Sequence, residues 1–281
     1  MKTRAIGLWL YRKGLLHLLP WRFLRGYVHP LLLQRKRTAF DGKSYFESWY
    51  RSMPDEALSD ASTISPTTNP RVARFHYNCV ESSILRFFQR REPPAAPRVL
   101  DIGSGAGHWI DFFLDVFDAP HVTGLELADN CASLLEERYR DDGRVTILRH
   151  DVTRPLPSEC GTFQIVNGIG VMFHIVEDAA WERALANLSR VLDPGGYAVF
   201  GGAFGLRTND VQVHGTDTFD RFDDQFARRP VALVNKRVRS RFYWRRAARR
   251  SGLRVETVVK TFRDARIVTP ENNVIVLRKP L

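Results

Sequence analysis

An aspartate and three glycines at every second position follow an apolar run in "VLDIGSGAGHW", residues 99–109. A strand that feeds a helix through such a turn presents backbone N–H groups at close range, with the positive end of the helix dipole behind them. Such a turn receives a small anionic or zwitterionic ligand. A dinucleotide site would read G-x-G-x-x-G, and counting from Gly103 the third glycine is replaced by His108. What stands instead is D-x-G-x-G-x-G, with Asp101, Gly103, Gly105 and Gly107 in place. A second acid, Glu126, closes the run "VTGLE" 19 residues beyond Gly107, where a carboxylate can accept from two vicinal hydroxyls at once. His174 follows a later apolar run; its imidazole titrates near neutrality and can take a proton, and a histidine packed under a turn is the other reading.

These residues need a scaffold, and the spacing of apolar runs supplies one. From Arg98 onward, runs of strand length alternate with helical segments, the pattern of a parallel sheet covered on both faces. Strands are expected at 98–102, 121–126, 144–149, 163–167 and 196–201, and helices at about 107–117, 129–139 and 177–192, the last ending at "LDPGGY". Ahead of them, Asn69-Pro70 has the form of an N-cap with proline in the first helical position, so 71–90 reads as an amphipathic helix stopped by "REPPAAP". After an irregular region at 204–233, one basic helix is expected to end at Gly252. Two adjacent strand-like runs, "LRVETVVKTF" and "NNVIVLRK", then suggest an antiparallel hairpin.

The chain carries a net charge of +11, located in two places. Residues 1–40 hold nine Lys/Arg and no acid, and "KRVRSRFYWRRAARRSGLR" at 236–254 holds nine more, which leaves 24 basic against 31 acidic residues elsewhere. The basicity is therefore segmental and describes two anion-facing surfaces. The first, "GLLHLLPWRFLRGYVHPLLLQRKR", suits either peripheral contact with an anionic membrane or a short helical pair packed on the core with its basic face in water. Its uncharged runs fall well short of the roughly 18 apolar residues of a spanning helix. Neither a cleavage site nor the serine content of a transit peptide accompanies it. Cysteines 79, 131 and 160 share no metal-ligand spacing, so no metal is expected, and a reducing compartment such as the cytoplasm is the simpler reading. The Ser/Thr/Pro-rich stretch 59–70 divides a basic extension, 1–68, from a main domain, 69–281.

The D-x-G-x-G-x-G turn resembles the first motif of the class I S-adenosylmethionine-dependent methyltransferases, and the resemblance continues in order over roughly residues 70–281. It implies an α/β fold: a Rossmann-like, doubly wound, mostly parallel seven-stranded sheet with a C-terminal antiparallel hairpin, here behind an N-terminal helical extension. It implies S-adenosyl-L-methionine as cofactor. The methionine part would lie over Gly103, Ser104, Gly105 and Gly107 with its ammonium toward Asp101, and Glu126 with Leu127 would take the ribose. In "ILRHDVTRPLP", Asp151 and Val152 match the positions that meet the adenine. Asn167 and Gly168 match the backbone bordering the cofactor, and His76 and Tyr77 lie on the helix that covers it. Near the start of "FQIVNGIG", where the family commonly has an aspartate, this chain has Gln164.

Methyl transfer is an in-line displacement, so the protein supplies alignment and, for a hydroxyl acceptor, a base, for which His174 and His76 are the candidates. Family members that methylate exocyclic or amide nitrogens carry an Asn/Asp-Pro-Pro-aromatic turn after the fourth strand; here it is "NGIG", residues 167–170. Those that methylate carbon 5 of pyrimidines use a cysteine near that turn, whereas Cys160 precedes the strand. Nucleic acid is thereby disfavoured, and a small-molecule hydroxyl (of a sugar, a lipid-linked intermediate or a natural product) is expected by elimination. An RNA methyltransferase, or a non-catalytic module of the same fold that holds RNA or an anionic membrane, stands as the alternative.

Overall fold

A computed structural model describes residues 42–51, 59, 70–91, 93–202, 210–214, 234–261 and 273–281. The elements are α1 (Gly42–Arg51), α2 (Pro70–Phe88), β1 (Arg98–Ile102), α3 (His108–Val116), β2 (His121–Glu126), α4 (Asp129–Arg138), β3 (Val145–Arg149), β4 (Phe163–Gly168), α5 (Asp178–Val191), β5 (Leu192–Gly202), β6 (Asp210–His214), β7 (Val234–Val238), α6 (Arg241–Arg250), β8 (Arg254–Val259) and β9 (Asn273–Arg278). Residues 1–40, most of the 59–70 linker and most of the 204–233 region lie outside the described residues.

Seven strands form one sheet in the order β3-β2-β1-β4-β5-β9-β8. The first five are mutually parallel, and β9 lies antiparallel between β5 and β8. This is the expected doubly wound fold, and the closing pair of strands is antiparallel as expected. Chain order reverses between β1 and β4, so the carboxyl ends of these strands frame the crevice in which open α/β sheets bind ligands. Register places Asp101 beside both Gly124 and Asn167 there.

Burial on both faces explains the nearly unbroken apolar strands: Val99, Leu100, Ile165 and Val166 are all fully buried. One face packs against α2, α3 and α4 through Val80, Ile84, Phe113 and Leu135. The other packs against α5 and α6, where Trp181 meets Trp244 edge-on at 4.6 Å and Phe200 lies beneath. α1 contributes Phe46 and Tyr50, which pack on Ala128 and Cys131 at the start of α4. No helix among the described residues is long and apolar enough to cross a membrane.

Two sequence expectations need correction. Strand β5 begins at Leu192, directly after α5, and absorbs Asp193–Gly196 where a loop was expected. A register shift between Phe163 and Ile165 accommodates it, and the 2.9 and 3.0 Å backbone bonds exchanged with Lys279 occupy its polar groups. The second basic segment is not one helix either. Its first residues form β7, paired antiparallel with β6, so part of the region read as irregular is a strand. The helix starts only at Arg241, where the Ser240 Oγ accepts from the Tyr243 N–H at 3.2 Å and caps it.

Candidate active site

At the switch point, the Asp101 carboxylate is fully buried and its Oδ1 accepts from Asn167 Nδ2 at 2.7 Å. Its Oδ2, and the Oδ1 of the equally buried Asn167, have no partner among the described residues. Burial pushes the carboxyl up to about 7, against the lowering effect of the Asn167 bond. The chain then leaves β1 through a tight turn. Gly103 N–H donates to Leu125 O at 2.7 Å, Ser104 Oγ donates to Asp101 O at 3.0 Å, and Gly107 N–H donates to Ser104 O at 2.9 Å. Gly103, Gly105 and Gly107 have φ of 66°, 56° and 100°, which side chains disfavour. Behind the turn, α4 holds it in place: Arg138 donates to Ala106 O, and Tyr139 Oη donates to Gly107 O at 3.1 Å and to Asp111 at 2.6 Å.

A Cβ at Gly103 would stand 2.4 Å from Val171 Cγ2 as well as in the left-handed region. Gly103→Ala is therefore expected to lower the unfolding free energy by about 2 kcal/mol, measured by urea unfolding. Unchanged stability would show that the turn relaxes freely.

Glu126, at the carboxyl end of β2, is 5% exposed. Its Oε1 accepts from the N–H groups of Leu127 at 2.8 Å and Ala128 at 3.0 Å, and its Oε2 from Gly105 at 3.0 Å. Burial raises its pKa, and the three backbone donors oppose that rise. A carboxylate offers about four lone-pair positions, so three donors fix its orientation and leave capacity beside the turn. Asp101, Asn167, the glycine turn, Glu126 and Leu127 thus form one cluster.

The other candidates surround it. His150 N–H donates to Glu126 O at 3.0 Å, which brings the end of β3 alongside. One residue on, Asp151 Oδ1 caps its own turn by accepting from Thr153 N–H at 2.8 Å. Val152 is buried in the core, and its carbonyl accepts from Asn187 Nδ2 at 3.0 Å. Gly168 sits where a Cβ would stand 2.7 Å from Phe200. Tyr77, on α2, stacks on His108 with centroids 3.6 Å apart, and His76 meets Tyr77 edge-on. His108, readable in the sequence as a plain surface residue, instead bonds Glu81 at 2.7 Å beneath that ring. His174 ends a short 3-10 turn, Met172–His174, after β4, and Phe46 of α1 meets it edge-on at 5.0 Å.

Sequence reasoning passed over α1. Its Phe46 and Tyr50 stand four apart on one helical face, and Tyr50 is buried at Cys131 and close enough to Glu126 to feel its charge. The i, i+4 aromatic pair in "YFESWY" is the signal that could have found it. Gln164, the departure noted above, has a structural role: its Oε1 accepts from Arg98 N–H at 2.7 Å and its Nε2 donates to Asp193, tying β1 to β5.

Comparisons with known proteins converge on the same part of the chain. Residues 99–196 match the family described as methyltransferase domain. That match spans the glycine turn, Glu126 and the strands that position them, about a third of the chain. An uncharacterized protein of Synechococcus sp. is 30% identical over 174 residues, which cover 55% of this chain and 39% of that protein, about two fifths of its length. The glycopeptide N-methyltransferase MtfA, solved with S-adenosyl-L-methionine, superposes with a TM-score of 0.54 at 19% identity over 72% of this chain and 94% of its own. The mitomycin 7-O-methyltransferase MmcR gives 0.52 at 18% identity over 74% of this chain and 54% of its own. At these identities the two solved structures share the fold of this chain, and their acceptors are their own.

Proposed function

We propose that this protein binds S-adenosyl-L-methionine and transfers its methyl group to a small-molecule acceptor, with a hydroxyl oxygen as the receiving atom. The observation that carries the reading is the pair of buried carboxylates flanking the glycine turn. Asp101 offers an unpartnered Oδ2 at the switch point, and Glu126 stands at the end of the next strand. The residues fit the cofactor group by group. Asp101 would accept from the ammonium, the N–H groups of the turn would meet the carboxylate, and Glu126 would take the ribose hydroxyls. Asp151 and Val152 would border the adenine, and Tyr77 and His76 would cover the methionine. When bound, the cofactor supplies a sulfonium-activated methyl group, so what the chain must add is alignment and a proton acceptor.

The turn after β4 favours oxygen over nitrogen in this reading: it runs Asn167-Gly168-Ile169-Gly170, without the prolines and aromatic of the turn carried by nitrogen-methylating members of the family it resembles. His174, on the following 3-10 turn, would take the hydroxyl proton. Incubating the protein with carbon-13 methyl-labelled cofactor and pools of small-molecule acceptors tests the reading, since the NMR shift of the transferred carbon tells an O-methyl from an N-methyl group. An N-methyl signal would move the acceptor to nitrogen, and absence of transfer to every pool would favour the non-catalytic module. In the active pool, His174→Ala is expected to lower kcat about 100-fold or more with cofactor affinity intact. An unchanged kcat would leave His174 as packing under Phe46.

A further inference from the structure

Beyond the cofactor cluster, at the carboxyl ends of β4 and β5, a second group of polar atoms is buried without partners. Arg239 is 2% exposed and stacks on Trp181 with its guanidinium 4.6 Å from the ring centroid. Its Nε donates to Asp178 Oδ1 at 3.0 Å and its Nη2 to Val176 O at 3.2 Å. Arg237 also donates to Asp178, Nη2 to Oδ2 at 3.0 Å. One half-exposed carboxylate thus serves two arginines, and among the described residues one positive charge of the trio remains. Three donors are left over: Arg239 Nη1, Arg237 Nε and Trp181 Nε1 are buried and have no acceptor among the described residues. A buried donor left unmet destabilises the fold, a charged one more than a neutral one.

All three side chains line the same small cavity, together with Phe173, Gly201 and Gly202. Its volume of about 10 Å³ admits one water-sized group. Phe173 immediately precedes His174, and Gly201 and Gly202 end β5, so the cavity lies at the carboxyl edge of the sheet. Burial pulls the Arg239 guanidinium down to about 10, with Asp178 opposing and the neighbouring Arg237 adding to the fall.

We propose that the methyl acceptor carries a carboxylate, held by Arg237, Arg239 and the Trp181 indole N–H in this cavity. The inference rests on the methyltransferase reading above and names its substrate class. A carboxylate oxygen matches the room available and the charge left over. A water would satisfy the hydrogen bonds but not the charge.

Acetate, with acetamide as its neutral isostere, is the probe. The full-length protein loaded with S-adenosylhomocysteine is titrated with each at constant ionic strength, and the indole N–H resonances of its six tryptophans are followed by nitrogen-15 NMR. One indole resonance is expected to shift saturably with acetate and stay fixed with acetamide, and in Arg237→Gln the half-saturating acetate concentration should rise at least tenfold. No shift with acetate, an equal shift with acetamide, or an unchanged midpoint in the variant overturns the inference and leaves the cavity to water. Wild-type calorimetry with S-adenosylhomocysteine separates the two readings. Heat without an acetate response sinks the carboxylate site alone, whereas no heat sinks the cofactor reading beneath it.

Discussion

Replacing Glu126 by glutamine is expected to weaken binding of S-adenosylhomocysteine at least 100-fold, about 3 kcal/mol. The change is nearly isosteric, yet the site punishes it in two ways. The carboxylate accepts from three backbone N–H groups, those of Gly105, Leu127 and Ala128. An amide has one acceptor oxygen and two N–H donors, so at least one backbone donor must face another donor in a buried setting. The Gly105 bond also links the glycine turn to β2, so its loss frees the turn at the moment a ribose acceptor is removed. Calorimetry on wild type and Glu126→Gln, with circular dichroism to verify the fold, reads the effect. Near-equal affinities would place the ribose elsewhere.

Asp101→Asn should lower the same affinity by a similar factor, and it carries a pH signature that Glu126→Gln lacks. With its carboxyl raised to about 7 by burial, Asp101 is largely protonated in the ligand-free fold below that pH. In the unfolded chain an aspartate titrates near 3.9. The folded state therefore holds one more proton between about pH 4 and pH 7, and the contribution of this group to stability falls as pH rises through that window and is flat above it. Ligand affinity runs the other way, because an ammonium requires the carboxylate. Binding to wild type should weaken about tenfold from pH 8 to pH 6. In Asp101→Asn that dependence should vanish, while stability at pH 8 should increase because the buried charge is gone and the acceptor for Asn167 is kept. A variant that is more stable yet binds worse marks a residue retained for function. Retained pH dependence in the variant would assign the titration to another group.

The parts of this molecule that were legible in the sequence are those governed by local periodicity. Strands β1 to β4 and helices α3 to α5 fall where apolar spacing puts them, because β1, β2 and β4 are buried on both faces, β3 half-buries an apolar run at the sheet edge, and each helix buries one face. The glycine turn was legible because left-handed φ values at three alternate positions leave little choice but glycine there. What escaped depended on distant partners. Asp193–Gly196 looks like a loop until Lys279 pairs with it, and Val234–Val238 looks helical in a run of basic residues until β6 lies alongside. The seat of Tyr50 on Cys131 joins residues 81 positions apart, and no local pattern announces it. The sharing of Asp178 by Arg237 and Arg239 is likewise a product of topology, since β7 and α5 are separated by the whole of β5.

The central claim is that bare main chain between Asp101 and Gly107, flanked by two buried acids, seats the amino-acid tail and ribose of one cofactor. Isothermal calorimetry with S-adenosylhomocysteine at pH 8, followed by NADH on the same sample, tests it most directly. The account predicts one-site binding of the thioether and no competition from NADH. Absence of heat with the thioether, or its displacement by the dinucleotide, would contradict it.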